Sequence, residues 1–524
     1  MYRSGAPFVP PTKLPALIIV SLGIVAAILL GYMIGQGDLV PVLGFFAGAA
    51  VFALVLIMND RIWLLVPACW HLTGNFGSLP FSVRELAVLL TFGVFIVFIA
   101  LRRMPIETRF GLLDAFVFLN LGYLATVYLR NPVGTAALGS AMVGGRPYFE
   151  IVIAVLAYLV LTWVPLTPRT ARVLPCLIAF PQIGVSLLSA LTHFIPQLGP
   201  IASIIYSDVE VSDADAGMQP GDEADEIDRV VSLGGVAEAG VLVLFSYFSP
   251  LSLLNPARLT RFVLFALVCL CFALAGFRNG VAMLIATGAL AAYFRGGLRE
   301  AWTTLACLLT IVLGLVGVQY TGLHLPLTAQ RALSFLPGRW DYEAKADAEG
   351  SSEWRFYMWQ QALTTDEFIK NKLLGDGIGF SAYELQIMEE ETPEGGSPFI
   401  GGDRQENQLI QGAFHSGPIS AIRCVGYVGL VLYLVLSLVA AFYAWGLIRI
   451  TAATPFFPLA LFIGISVIYG PVKYICIFGG YESDFPRTIF LCGMLRLLSE
   501  GFSRWRKAQS DVAPEVQQLA PLSA

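Results

Sequence analysis

Charge is scarce in this chain. Asp, Glu, Lys and Arg make up 13% of its 524 residues, where a soluble domain carries about 25%. That scarcity excludes a solvated surface over most of the length. The net charge of -5 and the lack of a large basic patch exclude nucleic acid as a partner. Histidine is rarer still, with four residues in all. The eight cysteines (Cys69, Cys176, Cys269, Cys271, Cys307, Cys424, Cys476 and Cys492) lie in or beside apolar runs, so no disulfide framework is expected in the polar segments. Cys269 and Cys271 are two apart on an expected helix and face different sides. They read as small buried hydrophobes, not zinc ligands. Nor is a cleavable signal expected: the first apolar run, 14–33, is too long for a signal core and lacks a small-residue cleavage site.

What the chain has is apolar sequence, 56% of its residues, in runs that reach the ~20 residues a spanning helix needs. Apolar spans are expected at 14–34, 40–58, 62–76, 84–101, 110–129, 148–165, 173–195, 234–254, 262–277, 280–294, 301–320, 424–447, 455–474 and 484–498. The expected fold is an all-α polytopic membrane protein with about 12–14 transmembrane helices and one large external loop containing short helices. Region 1–320 holds the first eleven spans and an acidic outer loop at 196–233. The large loop occupies 321–417, the last three spans 418–498, and a tail 499–524.

Basic residues set the orientation. Arg3, Lys13, Arg61, Arg102, Arg103, Arg169, Arg172, Arg258, Arg261, Arg295, Arg299, Arg449, Arg504, Arg506 and Lys507 alternate correctly if both termini are cytoplasmic. The loops 196–233 and 321–417 then lie outside. On that outer face single cations mark the mouths of spans: Arg84, Arg146, Arg229, Arg278, Lys473 and Arg487. A short loop tolerates one Arg by extending its stem to water. Several at similar depth can line a site for a phosphorylated lipid, because guanidinium groups grip phosphate oxygens in pairs. Arg278 sits in LAGFRNGVAML, a tight turn flanked by Gly276 and Gly280.

The acidic outer loop contains Asp213-Ala-Asp215, but its low apolar content makes it a solvated segment and not a metal site. In the large loop, Ser351 or Ser352 is expected to cap a helix whose first turn carries Glu353. Arg355 and Trp359 share one face of it. Thr364-Thr365-Asp366-Glu367 reads as the capping box of a second short helix ending at Leu374. Gly375, Gly377 and Gly379 lack the flanking strand and helix of a dinucleotide fold. They read as a tight turn that lets backbone approach another element. Glu389, Glu390, Glu391 and Glu394 read as a solvated face. His415 stands where the loop re-enters the membrane, and a neutral imidazole there can take a proton from a hydroxyl.

Four of these features, in this order, resemble the O-antigen ligase and O-antigen polymerase superfamily over about 262–447. They are Phe277-Arg278-Asn279-Gly280 between two spans, and Arg355 with Met358, Trp359, Ala362 and Leu363 on a loop helix. After them come the turn Leu374-Gly375-Asp376-Gly377-Ile378-Gly379, then His415 followed by Gly426-Tyr427-Val428-Gly429. Departures are Ser416 where Asn often follows the His, Phe277 where Ser is usual, and an acidic insert between Phe380 and Ala413.

The resemblance implies a multi-pass protein of the bacterial inner membrane with a periplasmic large loop. It implies glycan transfer from an undecaprenyl-diphosphate-linked donor to a glycan, lipid or protein acceptor, inverting and without metal or cofactor. His415 and Arg355 would be catalytic, and Arg278, Arg229 and Arg146 would hold the diphosphate. Ligase and polymerase differ in acceptor and not in donor chemistry, so both remain open. A transporter or flippase would instead place ionisable residues deep in spans and broken helices at matching positions in two halves. Asp114, Glu150 and Glu238 sit near span ends, and no such repeat is visible. A non-enzymatic scaffold would leave Arg278 and His415 replaceable.

Overall fold

The computed structural model describes residues 57–74, 81–101, 110–133, 144–206, 229–321, 323–380, 409 and 412–518. The chain divides after Ile62 into two compact units. Of the first, only 57–62 are described; the second, from Trp63 on, is the subject below. Its described residues form helices and no strand.

Helix α1 (Val83–Ala100) starts at a full capping box: Ser82 Oγ accepts from the Glu85 amide at 3.3 Å, and the Glu85 carboxylate accepts from the Ser82 amide at 2.8 Å. Helices α2 (Leu112–Arg130), α3 (Arg146–Trp163) and α4 (Pro168–Phe194) follow. Next come α5 (Leu233–Tyr247), α6 (Leu259–Ala275) and α7 (Arg278–Val318). The loop contributes α8 (Leu327–Leu333) and α9 (Tyr342–Thr364), and the chain closes with α10 (Gly417–Thr451), α11 (Phe457–Cys476) and α12 (Tyr481–Gln518). Seven helices (α1, α2, α3, α4, α7, α10 and α11) are long and apolar enough to cross a membrane, while α5 and α6 are apolar but shorter. The architecture is that of an all-α polytopic membrane protein.

Burial ranks the spans. In α11, 61% of the apolar window is buried inside the protein, against 17% in α7. The centre is therefore α11 with α10, which packs along it, and α7 lies at the rim. Large apolar side chains such as Phe180, Leu313 and Phe442 are exposed, as expected of faces turned to lipid, where burial inside protein is not needed.

Several expectations need correction. No span occupies 62–76: Leu65–Ala68 is one helical turn and coil follows to Gly74. There the backbone passes so close to 203–206 that a Cβ on Gly74 would come within 2.3 Å of the Tyr206 amide, and the Gly74 amide donates to the Ile205 carbonyl at 3.1 Å. The spans 280–294 and 301–320 do stand as two helical arms of α7, separated at Gly297, whose backbone leaves the helical conformation with φ +74°. In the loop, α9 starts at Tyr342, behind Asp341, so neither Ser351 nor Ser352 is a cap. The short helix expected over 366–374 is a series of bends. The Asp376 carboxylate accepts from the Lys370 and Asn371 amides at 2.8 Å each, and the Asn371 side chain accepts from the Leu374 amide at 3.0 Å. Those bonds compete with helical ones and win. The expectations for 14–34, most of 40–58, Asp213, Asp215, Glu389, Glu390, Glu391 and Glu394 lie outside the described residues.

Candidate functional site

The site is built around Gly276. Helix α6 ends there in the left-handed conformation, φ +67°, which glycine adopts without steric cost. The chain reverses in Gly276 and Phe277, and α7 begins with Arg278. Two further arginines use the same glycine. Arg331 Nη1, on α8, donates to the Gly276 carbonyl at 2.9 Å. The stem of Arg229 lies over the missing side chain, since a Cβ on Gly276 would come within 3.0 Å of Arg229 Cδ.

Helix α9 brings a fourth arginine. Arg278 Nη2 donates to the Ala348 carbonyl and to Ser352 Oγ, the latter at 3.2 Å, which fixes α9 against the head of α7. Arg331 pairs with Asp347 on the same helix. Arg355, two turns beyond Asp347, feels the positive fields of Arg278, Arg331 and Arg229. Burial first, and those three cations second, push its guanidinium below the usual range. Burial and Arg229 act on Arg331 the same way, with Asp347 opposing. Like charges held this close and partly out of water disfavour one another, and an anion among them would relieve the strain.

The chain segment that carries His415 is tied to the helix that carries Arg355. Trp359, one turn after Arg355 on α9, donates its indole N–H to the Phe414 carbonyl at 2.7 Å. A helical turn rises about 5.4 Å, so the chain that carries His415 passes close to the Arg355 turn. Met358, Ala362, Ile369, Leu409, Phe414, Ile419 and Ile422 form a buried core that seats α9 on the head of α10. His415 takes φ +50°, a conformation that costs a residue with a Cβ about 1–2 kcal/mol. Its ring stacks on Phe478, with centroids 5.4 Å apart. A residue held in such a conformation by its surroundings is a common mark of a functional position.

The glycine-rich turn docks the loop on α10 through backbone. Helix α10 breaks at Gly426, φ +72°, which frees carbonyls in the preceding turn. The loop supplies their partners: the Asp376 amide donates to the Arg423 carbonyl at 2.7 Å and the Gly377 amide to the Cys424 carbonyl at 3.1 Å. In return the Tyr427 amide donates to the Lys372 carbonyl at 2.9 Å. The two backbones are so close that a Cβ on Gly375 would come within 2.5 Å of Val425 Cα, and one on Gly426 within 2.3 Å of the Leu373 carbonyl oxygen. Helix α2 secures the seam, with the Tyr123 hydroxyl donating to the Val425 carbonyl at 2.9 Å and Asn131 donating to the Gly375 carbonyl at 3.1 Å.

Of the expected site residues, Arg229, Arg278 and Arg355 come together, and His415 follows Phe414, whose carbonyl is bonded to α9 one turn beyond Arg355. Arg146 is elsewhere engaged: its guanidinium meets the Glu85 carboxylate at 2.6 Å, and both side chains are buried. Arg84 pairs with Glu150 at 3.1 Å and Arg487 with Glu238 at 3.1 Å. Sequence reasoning missed Arg331. It stands in the loop and not at the mouth of a span. Its signal was a lone cation in LTAQRAL, a short apolar helix with no other charge.

Guanidinium groups gathered this way have the chemistry to hold a polyanion. No family model matches this chain, and no curated protein is detectably similar to it.

Proposed function

We propose that this protein transfers a glycan from an undecaprenyl-diphosphate-linked donor to a hydroxyl acceptor, at the periplasmic face of a bacterial inner membrane, in the manner of O-antigen ligases and polymerases. The observation that supports this reading is the convergence of Arg229, Arg278, Arg331 and Arg355 from the spans and the loop, with the segment that carries His415 bonded to the same helix as Arg355. A diphosphate is the ligand whose charge suits several guanidinium groups at once.

In this reading the arginines hold the two phosphates and take up the charge that grows on them as the bond to the anomeric carbon breaks. The acceptor oxygen forms its bond to that carbon from the opposite face, which inverts the centre, and His415 takes the acceptor's proton. Donors aimed at developing charge are worth about 3–4 kcal/mol each, and the base about 10²–10⁴ in rate. The broken helices α7, at Gly297, and α10, at Gly426, are features a transporter would share; in α10 the break faces the loop. The carbonyls freed there are occupied by loop amides, whereas a transporter would use them for cargo.

The test is glycan transfer in proteoliposomes from a lipid-diphosphate-linked oligosaccharide. Wild type is compared with His415→Ala and Arg355→Ala at matched protein levels. The expected result is transfer by wild type and loss of roughly 10²-fold or more in each variant. Unimpaired transfer by His415→Ala would remove the base assignment. Absence of transfer by wild type from any such donor would remove the proposal. The length of the product separates ligase from polymerase.

A further inference from the structure

Beneath His415 the bundle contains a cavity that the arginine cluster does not use. It is partly open, lies between α5, α7, α10, α11 and α12, and offers about 70 Å³. One water needs about 10–15 Å³ on this scale, so the space suits several waters or part of one sugar ring, and not an oligosaccharide. Phe478 forms part of the wall and also carries the His415 ring on its face. The cavity and His415 are thus neighbours through a single aromatic side chain.

Most polar groups of the wall are already matched. Glu238 accepts from Arg487 at 3.1 Å, the Tyr433 hydroxyl meets Thr488 Oγ1 at 3.0 Å, and the Asp484 carboxylate accepts from the Gly480 amide at 3.0 Å. Tyr474 differs. It lines the cavity and is 4% exposed, and its hydroxyl has no hydrogen-bond partner. Buried hydroxyls rarely remain unmatched. Nor can the ring turn away easily: it packs edge-on to Tyr433, centroids 4.8 Å apart, and so closely on Gly417 that a Cβ there would come within 2.6 Å of it. The charged groups of the wall, Lys473 and Arg487 against Glu238 and Asp484, balance. An anion is therefore drawn to the arginine cluster and not here. Aromatic faces, a free hydroxyl and balanced charge suit a neutral, hydroxyl-rich ligand.

We propose that this cavity is the acceptor subsite: it takes one edge of a terminal sugar, bonded to the Tyr474 hydroxyl, and leaves another hydroxyl of that sugar beside His415. The proposal rests on the glycan-transfer reading for the identity of the ligand as an acceptor. In the reaction that second hydroxyl loses its proton to His415 and its oxygen bonds to the anomeric carbon, while the diphosphate leaves with the electrons of the broken bond.

The experiment uses the full-length protein in nanodiscs and diazirine-bearing methyl glycosides of glucose, galactose and N-acetylglucosamine as probes, with the label mapped by mass spectrometry. At least one probe is expected to label residues 469–478. Tyr474→Phe should weaken that labelling roughly five- to ten-fold, as loss of one buried hydrogen bond does, without lowering the melting temperature of the ligand-free protein. Gly470→Leu should abolish it by filling the space. Gly470 lines the cavity, and a Cβ there meets no atom within 4 Å, so the added side chain starts without collision. Absence of label in this segment with all three probes, or label unchanged in both variants, would overturn the proposal. Donor cleavage on the same preparations reports on the other reading: a protein that labels as expected but cleaves no lipid-diphosphate donor keeps a sugar site and loses the transferase.

Discussion

At Gly276 one backbone position gathers charge from three elements. The residue ends α6 in a left-handed turn, offers its carbonyl to Arg331 and leaves room for the stem of Arg229. Gly276→Ala is expected to cost about 1–2 kcal/mol for the left-handed conformation alone and to displace Arg229. A thermal melt and the donor KM check this: the melting temperature should fall and the KM rise. Arg331 gives a sharper case because sequence reasoning passed over it. Arg331→Ala is expected to reduce transfer by roughly 10²-fold. Arg331→Lys should recover little, because an ammonium cannot bond both a carbonyl and a carboxylate in the guanidinium's fork. Arg146 is predicted to behave differently. It faces Glu85 in a buried pair, and removing one partner of such a pair costs about 3–5 kcal/mol. Arg146→Met should therefore lower stability sharply, and the double variant with Glu85→Gln should regain much of it. A double-mutant cycle on melting temperature reads this directly. A stabilised double variant that still failed to bind donor would instead return Arg146 to the diphosphate site.

At the level of elements, the loop is docked by backbone. A helix broken inside a bundle must have its freed carbonyls bonded, and the turn around Gly375 does this for α10. Gly375 stands at φ +82° with Val425 Cα in the space of its absent side chain. Gly375→Ala is thus expected to destabilise by roughly 2–4 kcal/mol, the sum of backbone strain and overpacking. Transfer should be lost with it although no ligand contact is altered. Proteolysis within the loop should rise in parallel. The turn was legible in the sequence as three alternate glycines; its partner was not, because Gly426 lies 51 residues further on, inside an apolar run. The start of α9 was hidden for a similar reason. Ser351 and Ser352 have the chemistry of caps, but Arg278 reaches Ser352 from another helix and Ala344 and Ala348 are buried, so packing carries the helix back to Tyr342.

At the scale of the molecule, α10 is broken at Gly426 and its longer part runs over 427–451, about 37 Å at 1.5 Å per residue. That is more than the ~30 Å of a hydrocarbon core, so the loop and residue 453 are expected on opposite sides. In a cysteine-free background, Lys345→Cys is expected to react with a membrane-impermeant maleimide in intact spheroplasts, and Ala453→Cys only after permeabilisation. The reverse pattern would invert the orientation and move the arginine cluster to the cytoplasm, away from any periplasmic donor.

The sequence alone determined that the chain is a bundle of apolar helices, and it located nearly all of the described ones. Apolar length is a local property, and a membrane helix satisfies its own backbone. It also marked Arg229, Arg278, Arg355 and His415 as unusual. Which cations act together was decided only by tertiary structure. Arg84, Arg146 and Arg487 looked like Arg278 along the chain, yet each meets a carboxylate. For Arg146 and Arg487 that partner comes from a different helix, 61 and 249 residues away. Arg229, Arg278 and Arg331 instead act together on Arg355, and Arg331 keeps a carboxylate partner as well, Asp347. Pairing depends on distance in space, and sequence spacing carries no record of it.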